Sequence, residues 1–124
     1  MIEVRENVDL FPFNTFGIHA KTRFLVTIRS IEEAQEGARI IVLNRLAVVK
    51  QEIGSLDKVK RIVALNGFVS SAPDFYGHPQ VVNGASELLI EIFGEKGKHS
   101  RTALGAAALP LNVAVEINLI VEVE

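Results

Sequence analysis

Cysteine is absent from this sequence of 124 residues. Its absence excludes disulfide bonds, thiolate zinc sites and cysteine nucleophiles together. A chain without cysteine is also compatible with a reducing compartment. We therefore expect a cytoplasmic protein that owes its stability to a packed core.

Long apolar runs are missing as well. The longest apolar-rich stretches, residues 40–43 and 103–111, are far shorter than the roughly 20 residues that a helix needs to cross a bilayer. The first residues include Glu3, Arg5, Glu6 and Asp9, so the beginning of the sequence does not resemble a secretory signal. Both observations predict a protein without a membrane partner.

Clustered positive charge is the third absence. Lysine and arginine number 13 against 15 acidic residues, the formal net charge is -2, and no basic stripe stands out. Because nucleic-acid binding depends on clustered basic side chains, we expect no nucleic-acid partner. The three histidines, His19, His78 and His99, match no zinc spacing. We expect each to be a solvated loop residue and predict no metal site.

What the chain does contain is enough apolar material for one core. It is 48% hydrophobic and 23% charged, a composition that is typical of a folded domain and not of disorder. The length fits one domain over residues 1–124.

The first half of the chain predicts two strands and a long helix. Residues 13–18 and 23–28 alternate as strands do, with a turn at 19–22 between them. Ser30 and Glu33 have the spacing of a capping box, and apolar residues then recur at helical spacing. Gly54 is a natural end because glycine tolerates positive φ. We predict a helix over residues 31–53.

The second half predicts strand, helix, strand, strand. Residues 59–69 form the first of these strands, and Pro79 fits the first turn of the second helix. Strands over residues 101–108 and 113–123 follow. The order ββαβαββ favours an α+β fold with two helices on one face of a mixed sheet. The other face carries apolar residues that favour association with further copies, among them Ala103, Ala106, Ala108 and Ile120.

Residues 31–124 resemble the reactive intermediate deaminase family, which is also called RidA, YjgF-like or endoribonuclease L-PSP-like. The most specific part is the tail from Ser100 to Ile117, which reads S-R-T-A-L-G, then L-P, then V-E-I. The resemblance implies a chorismate-mutase-like fold and a homotrimer with clefts between subunits.

The front of the chain resembles a different family. Residues 14–18 read N-T-F-G-I, as does the beginning of UDP-N-acetylenolpyruvoylglucosamine reductase. We hypothesise a chimera whose grafted N-terminal strand pair, residues 1–30, joins the rest between Ser30 and Glu36. The flavin-binding glycine-rich segment of the reductase does not follow, so we predict no FAD and no other cofactor.

The deaminase resemblance implies a site around Arg101. In members of that family the matching arginine clamps the carboxylate of an imino acid, and a guanidinium fork suits a carboxylate on chemical grounds alone. Glu116 matches a glutamate near the reacting water, which a carboxylate could orient or deprotonate. Substrate contacts are expected from the backbone at Ala103 and from a cleft wall formed by Asn66, Gly67 and Phe68.

Each of these residues also has a structural interpretation. Arg101 is equally consistent with a surface ion pair, and Glu116 with a solvent-facing side chain or a partner of Arg101. Asn66 and Gly67 are consistent with a β-bulge, and Asn83, which matches an asparagine of relatives, with a structural role.

Two departures from the family pattern bear on activity. Active deaminases often carry a glutamate where this chain has Gly105. They also cover the substrate with an aromatic residue from the N-terminal segment, for which Phe13 or Phe16 is the available substitute.

Two functions of different classes follow. The first is an enamine or imine deaminase that releases 2-oxo acids and ammonia, or a binder of small carboxylates in a cleft between subunits. The second is a catalytically inactive chimera that keeps only the scaffold. RNA cleavage, a label of some relatives, is disfavoured by the acidic charge balance.

Overall fold

From residue 21 onward the described elements follow one another in the predicted order. A computed structural model describes residues 30–124 in full and the backbone of residues 3–9 and 21–27. In chain order its helices and strands are β1 (Glu3–Asp9), β2 (Lys21–Thr27), α1 (Ile31–Ile53), β3 (Val59–Ser70), α2 (His78–Phe93), β4 (Ser100–Ala106) and β5 (Val115–Val123). Strand β1 was not predicted, and the predicted strand at residues 13–18 lies outside the described residues.

The strands form two sheets. Strand β3 is the centre of a mixed sheet in the order β4-β3-β5, parallel to β4 and antiparallel to β5. Strands β1 and β2 pair antiparallel in a separate sheet of two. Helices α1 and α2 pack on the mixed sheet and enclose one core, in which Ile62, Leu65, Leu89 and Ile117 are among the largest buried side chains. No helix in the described ranges is both long and apolar enough to span a bilayer.

Helix α1 begins and ends where local chemistry predicts. The Ser30 Oγ accepts a hydrogen bond from the Glu33 amide at 3.1 Å, which satisfies one of the unpaired N–H groups of the first turn. The Glu32 backbone amide and the Ser30 hydroxyl lower the pKa of the Glu32 carboxyl. Gly54 closes the helix at φ 87°. The buried stripe repeats every four residues, through Ala34, Ala38, Val42 and Leu46.

Replacing the cap should have a measurable effect. We expect Ser30→Ala to lower the free energy of unfolding by about 1 kcal/mol, because the Glu33 amide loses its acceptor. Ser55→Ala is a matched control, since Ser55 caps only a three-residue 3-10 turn, and we expect a smaller loss there. Denaturation with urea measures both. Equal losses in the two variants would contradict the assignment of Ser30 as the main cap.

The alternation of side chains along each strand decides which residues lie on which face of the mixed sheet. Leu65, Gly67 and Val69 are buried beneath the helices, and they pair with Arg101, Ala103 and Gly105 of β4. These three residues of β4 therefore lie on the helix face. The prediction that Ala103 belongs to the opposite face is wrong: it packs against the core. The register of a parallel pair, which the sequence alone does not give, decides its side.

The opposite side of the sheet, here called the far face, carries the alternate residues. Strand β3 places Asn66 and Phe68 there, with Thr102 and Leu104 beside them on β4. Strand β5 adds Glu116 beside Phe68, and Asn118 and Ile120 further along. Leu104 and Ile120 are 51% and 56% exposed, which agrees with the prediction of an apolar surface on this side. On α2, Ile92 is 42% exposed, although it lies at helical spacing from the buried Leu88 and Leu89.

Gly67 is explained by a close approach and not by a bulge. The irregular steps between β3 and β5 fall at Val59/Arg61 and Ile62/Ala64, whereas pairing is regular through Gly67 in both directions. A Cβ at Gly67 would lie 2.6 Å from the Cγ2 of Val82, well inside van der Waals contact. The missing side chain thus lets α2 lie close to the central strand.

Candidate functional site

Arg101 lies at the beginning of β4 and reaches across to α2. Its Nη1 donates to the Asn83 Oδ1 at 2.6 Å and, at the limit of a hydrogen bond, to the Ser86 Oγ at 3.5 Å. Asn83 and Ser86 are three residues apart, so they share one side of the helix. The guanidinium is exposed to solvent beside this side of α2.

The positive charge of Arg101 has no acidic partner among the described residues. By comparison, Arg61 pairs with Glu122 at 2.8 Å and Arg39 with Glu91 at 3.5 Å. Both acceptors of Arg101 are neutral, and neutral acceptors orient a guanidinium without cancelling its charge. In the described part of the chain Arg101 is therefore available to an anionic ligand, and the ion-pair interpretation of its role is not what the structure shows.

His99 is a structured residue next to Arg101, contrary to the prediction of a solvated loop. Its Nδ1 lies 2.6 Å from the Gly97 carbonyl oxygen, and its Nε2 lies 3.0 Å from the Ser86 Oγ. Ser86 thereby connects the imidazole to the guanidinium. Ser86 was not singled out from the sequence; the available signal was its position three residues after Asn83 on one helix.

His78 is likewise structured, at the other end of α2. Its Nε2 lies 3.0 Å from the Ser71 Oγ, and its ring meets Phe75 edge-on at 5.2 Å between centroids. A Cβ at Gly105 would overlap the His78 imidazole. The space beside residue 105 is thus filled by a histidine of α2. The prediction of a solvated loop residue is wrong for His78 too, and His19 lies outside the described residues.

The structure separates Arg101 from Glu116. Arg101 pairs with Leu65 of β3, while Glu116 pairs with Phe68, three positions further along the same strand. An odd number of positions along a regular strand places two side chains on opposite faces. Glu116 is half-buried on the far face, so the two residues predicted to be catalytic do not meet within one chain.

The predicted substrate-binding residues divide in the same way. Ala103 and Gly67 are paired neighbours on the helix face, beside Arg101. Asn66 and Phe68 lie on the far face, beside Glu116. One chain therefore carries the predicted site residues in two groups, one on each face of the sheet.

Two grooves lined by described residues lie elsewhere. One, of about 310 Å³, opens between the beginning of α1 and the end of β3 and includes Ser30, Ser71 and Phe75. The other, of about 330 Å³, lies between α1 and β5. Arg101 lines neither of them. No group of three or more acidic or histidine side chains that could hold a metal occurs among the described residues.

The fold defines a class of protein: an α+β domain with a chorismate-mutase-like arrangement, in which Arg101 at the edge of the sheet has no acidic partner among the described residues. Residues 13–123 match the family described as "YjgF/chorismate_mutase-like, putative endoribonuclease". The chain belongs to this family. The match begins at residue 13 and so overlaps the segment that we interpret as grafted, and the chimera stays a prediction.

Individual relatives agree with this assignment. The chain is 44% identical to Protein TCP17 from Trypanosoma cruzi over 94 residues, which is 75% of this chain and 59% of that protein. Two crystal structures are similar. A protein of unknown function from Agrobacterium tumefaciens has a TM-score of 0.76 at 44% identity, covering 77% of this chain and 62% of its own. A protein from Shewanella oneidensis with the same endoribonuclease label has a TM-score of 0.74 at 36% identity, covering 77% and 63%. The chain thus spans about three fifths of each relative's length.

Proposed function

We propose that the chain binds small carboxylates at Arg101, in a cleft completed by a second copy, and hydrolyses reactive enamines or imines there. The observation that carries the proposal is the guanidinium itself: it is exposed, it is oriented by Asn83 and Ser86, and no described acidic side chain neutralises it. A planar fork of N–H donors is the protein group best suited to a carboxylate.

The need for a second copy comes from the two faces of the sheet. Because Arg101 and Glu116 lie on opposite faces of one chain, a site that uses both must join the helix face of one copy to the far face of another. The exposed Leu104 and Ile120 of the far face support such an association. A closed ring of copies repeats one such contact around an axis, and a homotrimer is the assembly that we propose.

The chemistry requires no cofactor. An enamine first tautomerises to the imine as a proton moves from its nitrogen to its β-carbon. Water then adds to the carbon of the C=N bond, the resulting carbinolamine loses ammonia, and a 2-oxo acid remains. Arg101 would hold the carboxylate next to the reacting carbon. Glu116 of the second copy would accept the proton of the attacking water and return it to the departing nitrogen, which is ordinary general acid–base work for a carboxyl group.

Binding at Arg101 is tested by titration with 2-oxobutyrate, a product of the proposed class. We expect Arg101→Ala to raise the dissociation constant for 2-oxobutyrate by about tenfold or more, since charge-assisted hydrogen bonds to the carboxylate are lost. Arg61→Ala is the matched control, because the guanidinium removed there is paired with Glu122. Equal dissociation constants for the wild type and the Arg101 variant would refute the proposal.

The endoribonuclease label of the family is tested with the same proteins. A net charge of -2 gives little electrostatic attraction for RNA, and we expect no cleavage of a single-stranded RNA that depends on Arg101. RNA cleavage abolished by Arg101→Ala, together with an unchanged affinity for 2-oxobutyrate, would favour the label over the deaminase.

A further inference from the structure

The His99 side chain has its tautomer fixed by its neighbours. The Gly97 carbonyl oxygen, 2.6 Å from Nδ1, can only accept a hydrogen bond, so Nδ1 must carry a proton. In the neutral ring Nε2 is then an acceptor. The Ser86 hydroxyl, 3.0 Å away, consequently donates its proton to Nε2.

The direction of that bond determines what Ser86 can do for Arg101. With its proton given to His99, the Ser86 oxygen keeps its lone pairs for the Nη1 of Arg101, 3.5 Å away. The Asn83 Oδ1, at 2.6 Å, accepts from the same nitrogen. Nη1 carries two N–H groups, and both of its acceptors lie on α2.

What remains free is one defined edge of the guanidinium. Of its five N–H groups, the one on Nε and the two on Nη2 have no partner among the described residues. Nε and Nη2 point the same way and together form a fork that a planar carboxylate accepts with both oxygens. The neighbours of Nη1 thus select the edge that a ligand meets.

We infer that Ser86 and His99 are positioning residues that hold Arg101 so that a carboxylate binds side-on to its Nε and Nη2. The ligand in this statement rests on the proposed function; the positioning of the guanidinium does not. The hydrogen-bond partners of His99 among the described residues are Gly97 and Ser86, so His99 acts on Arg101 through Ser86.

The anchor of this chain of bonds is rigid. Gly97 is buried, and a Cβ there would lie 2.7 Å from the carbonyl carbon of Leu89, so the turn after α2 packs directly against the backbone of the helix. The Gly97 carbonyl therefore has a fixed place relative to α2. The hydrogen bond from His99 to this carbonyl fixes the imidazole, the imidazole fixes the Ser86 hydroxyl, and that hydroxyl helps to fix Nη1 of Arg101.

The positioning is tested without any ligand by nitrogen-15 NMR of the Arg101 side chain. Acceptors on one Nη slow rotation about the Cζ–Nη bonds, so we expect separate Nη1 and Nη2 resonances in the wild type. Ser86→Ala and His99→Asn should speed this rotation and broaden both resonances relative to the wild type, even though Asn83 still accepts from Nη1. Asparagine can place its Nδ2 where His99 has Nδ1 and donate to the Gly97 carbonyl, but the shorter side chain sets no acceptor at the position of Nε2, where Ser86 donates. A histidine with a purely structural role would therefore be rescued by asparagine. Nη resonances with the wild-type separation and line width in both variants would overturn the inference.

The consequence for binding is tested by a double-mutant cycle with 2-oxobutyrate. We expect Ser86→Ala to raise the dissociation constant for 2-oxobutyrate about three- to tenfold when Arg101 is present. In an Arg101→Ala background it should leave the dissociation constant unchanged. An equal loss in both backgrounds would contradict positioning through Arg101. If the wild type and Arg101→Ala bind equally weakly, the proposed function fails, while the NMR result still decides whether Ser86 and His99 hold the guanidinium.

Discussion

Gly84→Ala is expected to destabilise the protein, although alanine is the better helix former. Gly84 lies inside α2 where that helix crosses α1. A Cβ at this position would overlap the Gln35 carbonyl oxygen and lie 2.8 Å from the Gln35 carbonyl carbon. The obstacle is backbone, which cannot rotate away as a side chain can. The two helices would have to separate at their contact, which is otherwise held by bonds such as the one from the Gln35 Nε2 to the Gln80 carbonyl at 2.7 Å.

The relative sizes of two opposing effects decide whether Gly84→Ala raises or lowers the free energy of unfolding. Replacing glycine by alanine in a helix interior gains about 1 kcal/mol, whereas overpacking of a close contact costs up to about 3 kcal/mol. We expect a net loss of about 2 kcal/mol in the free energy of unfolding, or a fall in Tm of about 5–10 °C. Glu87→Ala, an exposed substitution on the same helix, should change the stability by less than about 0.5 kcal/mol. A Gly84 variant that is more stable than the wild type would show that the helices do not cross at this distance.

The elements that the sequence predicted best are those with local signals. The Ser30 cap and Gly54 gave α1 its observed ends because each acts within one helical turn. Strand ends were less accurate: β5 begins at Val115 and not at residue 113, because the turn through Pro110 extends further than the pattern indicates. Strand β1 was missed altogether, since charged residues interrupt its apolar alternation.

The site was harder to predict because it depends on pairing. Alternation alone tells which residues of one strand share a face, but not which face of β4 matches which face of β5. That requires the parallel register of β3 with β4 and the antiparallel register of β3 with β5. This is why the sequence alone does not show that Arg101 and Glu116 lie on opposite faces of one chain. The neighbours of Arg101 on α2 come from a different part of the sequence, so their contact with Arg101 could not be predicted either.

The separation of Arg101 from Glu116 gives the proposed enzyme a distinctive behaviour in mixtures. Arg101→Ala and Glu116→Gln should each lower the rate of imine hydrolysis by about a hundredfold or more, because one loses the carboxylate clamp and the other the acid–base group. If each site joins Arg101 of one copy to Glu116 of another, a mixed oligomer contains some sites in which both residues are native. In a trimer assembled at random from equal amounts of the two variants, about one quarter of the sites are of this kind.

We therefore expect the two inactive variants, after joint unfolding and refolding, to recover about a quarter of the wild-type rate of imine hydrolysis. The substrate is generated in the assay by an amino-acid oxidase, and light scattering reports the size of the assembly. Variants refolded separately and then combined are the control and should stay inactive as long as subunits do not exchange. A site built within one chain would give no recovery, since every chain in the mixture lacks one of the two residues. A monomer in light scattering would contradict the shared site directly, whatever the rates.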